Sequence, residues 1–180
     1  FFSPIAYPCG RMAPVGKHAL TLTYTAAYVN LGLSLGVFGP CLLQLAENTG
    51  TELLQISSIL TVRSVCYCVG SASAGPILPR ASNSNLCTGL ALLVTGLSTF
   101  VVPVLRDYYL LAAAAGSQGF GMGFLDCGGS CIVLALHGGE GPHMQLLHFG
   151  FALGGWLGPL AVGAAMHETD AGYWWAWLGV

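Results

Sequence analysis

The chain has 180 residues, of which 54% are hydrophobic and only 7% charged, with a net charge of -2. Soluble domains carry about 25% charged residues, so this composition excludes a soluble globular protein. The absence of any basic patch or stripe excludes nucleic acid as a partner and leaves the lipid bilayer as the expected surroundings.

A helix needs about 20 apolar residues to cross a bilayer, and the chain offers a series of such runs. Residues 1–19 read as a cytoplasmic N-terminal segment, and residues 20–180 as one transmembrane bundle. Segment one covers about residues 20–45, with no charge between Lys17 and Glu47. It carries the polar Asn30, the pair Gly32 and Gly36, and Pro40. It is too long for a secretory signal and has no small-residue cleavage site. Segment two covers about 56–78 and contains Arg63. That arginine either snorkels to the membrane surface or lines a pore. Segment three covers about 86–105. Segment four covers about 109–136 and holds Gln118, the pair Gly119 and Gly123, and Asp126. Segment five covers about 146–166, with His148 at its edge and Gly150, Gly154 and Gly158 at a four-residue spacing. A sixth, over about 172–180, is cut short. The run Tyr173-Trp174-Trp175-Ala176-Trp177 there reads as an aromatic belt at a membrane interface. The chain opens on Phe1 and stops inside an apolar run, which reads as a fragment.

Short connections, at about 48–55, 79–85, 106–108 and 137–145, make adjacent helices antiparallel neighbours. Lys and Arg concentrate on the cytoplasmic side of membrane proteins. With the N-terminus inside, Arg11, Lys17 and Arg80 fall inside and Arg106 outside, with Arg63 counting against this orientation. The 26 glycines are about twice the usual share of roughly 7%. Gly-xxx-Gly spacing lines one helix face, so these glycines read first as helix packing and second as faces that let helices slide. The seven cysteines lie mostly in apolar runs, and no Cys/His set has metal-ligand spacing. Cys127 and Cys131 share a helix face and read as packing residues.

Asp126 is the candidate functional residue. No other Asp, Glu, Lys or Arg occurs from Tyr108 to Gly139. A carboxylate at that depth is costly in lipid and must face the bundle interior or a water-filled cavity, which makes it a proton or sodium site. The structural alternative is a carboxylate satisfied by neighbouring hydroxyls or an arginine. Asn30, Gln118, Ser130 and Arg63 are substrate-binding candidates, because hydroxyl-rich ligands need such partners. No metal or organic cofactor is expected, only Na⁺ or H⁺ as coupling ion. An intramembrane protease is disfavoured: Asp126 is the only membrane aspartate where an aspartyl protease needs two, and Gly128-Gly-Ser130-Cys131 is not a serine-protease motif. A non-transporting membrane scaffold is the remaining alternative.

The stretch Gly121-Met-Gly-Phe-Leu-Asp-Cys-Gly-Gly-Ser130 resembles the fourth-helix motif of major facilitator superfamily transporters. It is most similar to the sodium-dependent glucose transporter type, related to fucose–proton symporters. The stretch Gly141-Pro-His-Met-Gln-Leu-Leu-His-Phe-Gly-Phe-Ala-Leu-Gly154 resembles the family's loop and fifth helix, and Leu35-Gly-Val-Phe-Gly-Pro40 fits its first. The resemblance covers about residues 21–166. It implies an all-α membrane fold, the N-terminal six-helix bundle of a twelve-helix transporter, with five complete helices and part of a sixth. It also implies a sugar substrate, a missing C-terminal half as partner, and an integral multi-pass location in the plasma membrane. By resemblance Asp126 is the coupling residue, and Gly75 and Arg80 belong to the gating loop between helices two and three. Three departures stand out. Ser130 occupies an Asn position, Pro79 occupies the Asp position of the gating loop, and segment one lacks the acidic residue of fucose symporters.

Overall fold

The computed structural model describes residues 16–138 and 141–168 together with Trp177. Five helices of membrane-crossing length and hydropathy follow one another: α1 Lys17–Thr49, α2 Leu53–Ile77, α3 Ser84–Val101, α4 Tyr108–Leu136 and α5 Gly141–Glu168. Among the described residues there is no strand. The fold is an all-α membrane bundle; the expected sixth segment, over about 172–180, lies outside the described residues apart from Trp177.

The limits differ from those of the apolar segments: α1, α2 and α5 extend beyond them, whereas α3 stops at Val101 and a 3₁₀ turn, Val102–Val104, follows it. Hydropathy marks the part of a helix that lies in lipid, whereas backbone hydrogen bonding continues until a cap ends it. Asp107 Oδ1 accepts from the amides of Tyr109 and Leu110 at 2.9 Å each, starting α4. Asn83 Oδ1 accepts from Leu86 N at 3.2 Å, starting α3. The end of α1 is a Schellman turn: Gly50 sits at φ 63°, Gly50 N donates to Glu47 O and Thr51 N donates to Ala46 O. The expected gating loop is also different. Gly75 lies inside α2, and Leu78–Arg80 form one 3₁₀ turn continuing it. Pro79 fits there because a proline near the start of a helical turn loses no hydrogen bond it would otherwise make. Arg80 Nη1 donates back to the Pro76 carbonyl at 2.7 Å.

Packing follows the glycines. The most extensive contacts are α2 with α4 and α1 with α5, followed by α3 with α4. A Cβ on Gly119 or Gly123 would collide with the carbonyl oxygens of Arg63 or Tyr67 on α2. A Cβ on Gly70 would collide with the Phe120 carbonyl in return. The same device joins α1 to α5: Gly32 abuts the Phe151 carbonyl and Gly154 abuts that of Val29. Between these two pairs the contacts are sparse.

The helix α3 is inverted relative to a soluble helix. Its buried face is Thr88, Ala91, Thr95, Ser98 and Thr99, while Leu86, Leu90, Leu93, Leu97 and Phe100 point outward. Lipid is as apolar as leucine, so small and hydroxylated residues take the helix interface. Thr95 and Thr99 satisfy their hydroxyls on the carbonyls one turn back, at 2.9 and 2.7 Å. The buried apolar residues form two clusters. One contains Val37, Phe38, Leu45, Ile59 and Leu111; the other contains Tyr28, Leu31, Met122, Leu125 and Val133. Trp177 is buried edge-on to Phe38, with ring centroids 5.1 Å apart, so it belongs to the core and not to an interfacial belt. Tyr173 to Ala176 lie outside the described residues.

Gly123→Ala in the purified intact protein is expected to lower the unfolding temperature, because overpacking of this kind costs roughly 1–3 kcal/mol. Gly75→Ala, whose Cβ meets nothing within 4 Å, is expected to leave it unchanged. Equal melting of the two variants would refute the backbone contact between α2 and α4.

Candidate functional site

Asp126 sits in α4 one turn beyond Gly123, on the half-buried side that α2 approaches. Tyr67 of α2 donates its phenol to Asp126 Oδ2 at 2.6 Å. Tyr28 of α1 donates to the backbone carbonyl of Asp126 and shares a 2.8 Å hydrogen bond with Ser130 Oγ. Two tyrosines from two helices therefore hold this one turn of α4, one by the carboxylate and one by the backbone. Tyr28 also lies edge-on to His148 of α5, with centroids 6.3 Å apart.

Beside this turn is a cavity of about 550 Å³. Phe38 and Gly39 of α1, Arg63, Tyr67 and Cys68 of α2, Met122 of α4 and Phe151 of α5 line it. Asp126 is not among its lining residues; Tyr67 is the residue that both lines the cavity and holds the carboxylate. Of the two readings of Arg63, the snorkelling one fails, since the side chain is 5% exposed. The backbone approach of α2 to α4 turns the arginine inward, where its Nη2 donates to Ser34 O at 3.2 Å and to Met122 Sδ at 3.1 Å. Its guanidinium carbon lies 4.5 Å from the Phe38 ring centre, a cation–π contact. Through Phe38 and Met122 it touches one member of each apolar cluster. It makes no ion pair with Asp126.

The remaining candidates separate. Ser130 joins the Asp126 group through Tyr28. Asn30 is half-buried on α1, one turn before Ser34, and is not part of the cavity wall. Gln118 is fully buried where α4 meets α3: its Nε2 donates to Thr99 of α3 at 2.6 Å and its Oε1 has no partner. Gly75 and Arg80 lie at the far end of α2, where Arg80 is exposed and acts as a helix cap.

Tyr28 and Tyr67 do not stand out in a reading of charge and hydropathy. The available signal is position: both tyrosines fall inside a crossing segment and not at its edge. A buried phenol requires a hydrogen-bond partner, so a mid-membrane tyrosine points to a polar neighbour. One face of α1 carries a longer series of such bonds. Thr21 shares a hydrogen bond with His137 Nε2 at 2.7 Å, and Tyr24 reaches Asn85 and Thr88 of α3 at 2.8 Å each. Thus polar side chains join α1 to α3 and α4, with Gly129 of α4 making room for Tyr24 and Tyr28.

The chain is 40% identical over 135 residues to the sodium-dependent glucose transporter 1 of Xenopus laevis, covering 74% of this chain and 27% of that protein. It is 36% identical over 145 residues to the human protein of the same name, covering 80% of this chain and 28% of that protein. It is 30% identical over 141 residues to the major facilitator superfamily domain-containing protein 4B of Danio rerio, covering 78% of this chain and 26% of that protein. The chain thus spans little more than a quarter of the length of these curated relatives. No family model matches the chain, and no solved structure matches it.

Two substitutions test this geometry by thermal unfolding of the intact protein in detergent. Tyr28→Phe removes the bonds to Ser130 and to the Asp126 carbonyl and is expected to cost about 0.6–1.7 kcal/mol, the range for interhelical hydrogen bonds in membranes. Gln118→Met removes one bond together with an unpartnered oxygen and is expected to be near neutral.

Proposed function

The chain belongs to the major facilitator superfamily, and on that premise we propose that the intact protein is a secondary transporter carrying a glucose-like sugar together with a cation. The curated relatives compared above bear transporter and superfamily names, and none is named as an enzyme. Five crossing helices make it an integral multi-pass membrane protein. The plasma membrane is the proposed location.

The observation that carries the reading is the state of Asp126. Its carboxylate is held in the bundle by a neutral phenol at 2.6 Å. Tyr28, which donates to the Asp126 carbonyl, and Cys127, the next residue, are further titratable neighbours. Phenols and thiols are ordinarily uncharged near neutral pH, so none of these neighbours neutralises it. A half-buried carboxylate inside the membrane, held by uncharged partners, is open to a proton or to Na⁺. The Asp126 carboxylate is the proposed cation site, and the names of the relatives favour Na⁺ as the ion. Sugar is proposed to bind in the cavity lined by Arg63 and Tyr67, with Ser130 supporting the Asp126 turn. Transporters of this type bind substrate near the membrane midplane between two halves of the protein, so a second half would close this cavity from the other side. Alternating access then exposes it to each side in turn. A non-transporting scaffold has no observation in its favour.

Glucose uptake by the intact protein in proteoliposomes tests the reading. Asp126→Asn is expected to reduce the cation-stimulated part of uptake at least about tenfold, the effect of losing roughly 1.4 kcal/mol of cation binding. Imposing a Na⁺ gradient and a proton gradient separately identifies the ion. Uptake that keeps its full cation dependence in Asp126→Asn removes the coupling role.

A further inference from the structure

We infer that Tyr67 is the positioning residue through which the cation at Asp126 controls sugar binding. The inference rests on the reading of Asp126 as the cation site.

Three observations carry it. Tyr67 stands at both places: it is among the residues lining the cavity of about 550 Å³, and its hydroxyl ends on Asp126 Oδ2 at 2.6 Å. Asp126 does not reach the cavity wall itself, so a sugar there meets the phenol and not the carboxylate. The backbone around Tyr67 is fixed, because its carbonyl is pressed against Gly123 and a Cβ there has no room. With the backbone held, the freedom left to this residue is at the side chain.

The chemistry sets the direction of the control. An ionised carboxylate only accepts hydrogen bonds, so it keeps the phenolic O–H pointed at itself. A hydrogen bond to an ionised acceptor is about twice as strong as one between neutral groups. When a proton or Na⁺ occupies the carboxylate, that advantage is lost and the Tyr67 O–H is released to a sugar hydroxyl in the cavity. Sugar binding, by taking the phenol, in turn leaves the carboxylate open to the cation. This is a reciprocal coupling between two sites, as linkage requires. Arg63, fixed on the same wall by Ser34 O and Met122 Sδ, supplies a donor that does not depend on the cation.

The test uses the intact protein in proteoliposomes with D-glucose and Na⁺, or H⁺ where that ion drives uptake. In the native protein the glucose KM is expected to fall as the cation rises. In Tyr67→Phe the KM is expected to stay flat across the same range, within about twofold, while the amount of folded protein is unchanged. A purely structural role for Tyr67 would lower the maximal rate and leave the cation dependence of KM in place, and that result overturns the inference. Asp126→Asn, run in parallel, separates the two claims. Retained cation dependence in Asp126→Asn defeats the cation site itself, whereas its loss there and retention in Tyr67→Phe defeats only the role of Tyr67. A second measurement needs no variant. Cys68 is exposed beside Tyr67 on the cavity wall, and its maleimide labelling can be followed by peptide mass spectrometry. Glucose is expected to slow that labelling at least about threefold with the cation present and not without it. Equal protection in both conditions overturns the inference.

Discussion

The closeness of α2 to α4 is the constraint on which the site depends. Tyr67 reaches Asp126 because the two backbones touch at Gly70, Gly119 and Gly123. Gly123 rests on the Tyr67 carbonyl, and three residues later Asp126 receives the Tyr67 hydroxyl. The same approach turns Arg63 inward, since its carbonyl is pressed against Gly119. A larger residue at either glycine would separate the helices and withdraw both polar side chains from their partners. In lipid no hydrophobic force compensates for such a loss, because the lipid tails solvate leucine as well as another helix does.

The bundle is built from two kinds of helix contact. Glycines bring α2 onto α4 and α1 onto α5, and these contacts are long and close. Polar side chains connect one pair to the other: Tyr28 to the Asp126 turn, Tyr24 to Asn85 and Thr88, and Thr21 to His137. Steric interlocking through glycine fixes distance to within a few tenths of an ångström, since carbonyl oxygens have nowhere to go. Hydrogen bonds between side chains tolerate more change, because rotamers adjust and partners can be exchanged for water in a cavity. The candidate site lies where the two kinds meet, with its carboxylate held across a close contact and its backbone held across a looser one.

The sequence makes the number, order and approximate limits of the five helices legible, because charged residues cluster between apolar runs. It also singles out Asp126, because a carboxylate in hydrocarbon is expensive wherever its side chain points. The direction of other polar residues is less legible. Gln118 and Asp126 lie on one helix in equally apolar surroundings, yet one bonds to Thr99 of α3 and the other to Tyr67 of α2. Hydropathy does not distinguish these positions, because both lie within one uninterrupted apolar segment. Tyr67 and Tyr28 stay hidden for a related reason: a tyrosine is apolar enough to pass as membrane filler, and its hydroxyl matters only once a partner is known. The expected connection from residue 79 to 85 is in part helical, because Pro79 is accommodated in the 3₁₀ turn Leu78–Arg80 that follows α2.

The arrangement of charge on the cavity bears on why Asp126 is held by phenol and not by arginine. Arg63 and Asp126 lie in one bundle, and a salt bridge between them would offset the desolvation of both. It would also close the site, because a carboxylate already satisfied by a buried guanidinium gains little from Na⁺ or a proton, and breaking such a pair leaves uncompensated charge. Here Met122 and the Ser34 carbonyl occupy the arginine, and Tyr67 occupies the carboxylate. Each is satisfied by a weaker, neutral partner that an incoming ligand can displace. A transporter has to release what it binds, so partners of moderate strength suit it better than a permanent ion pair. Separate, uncharged partners for Arg63 and Asp126 therefore leave neither charge cancelled by the other.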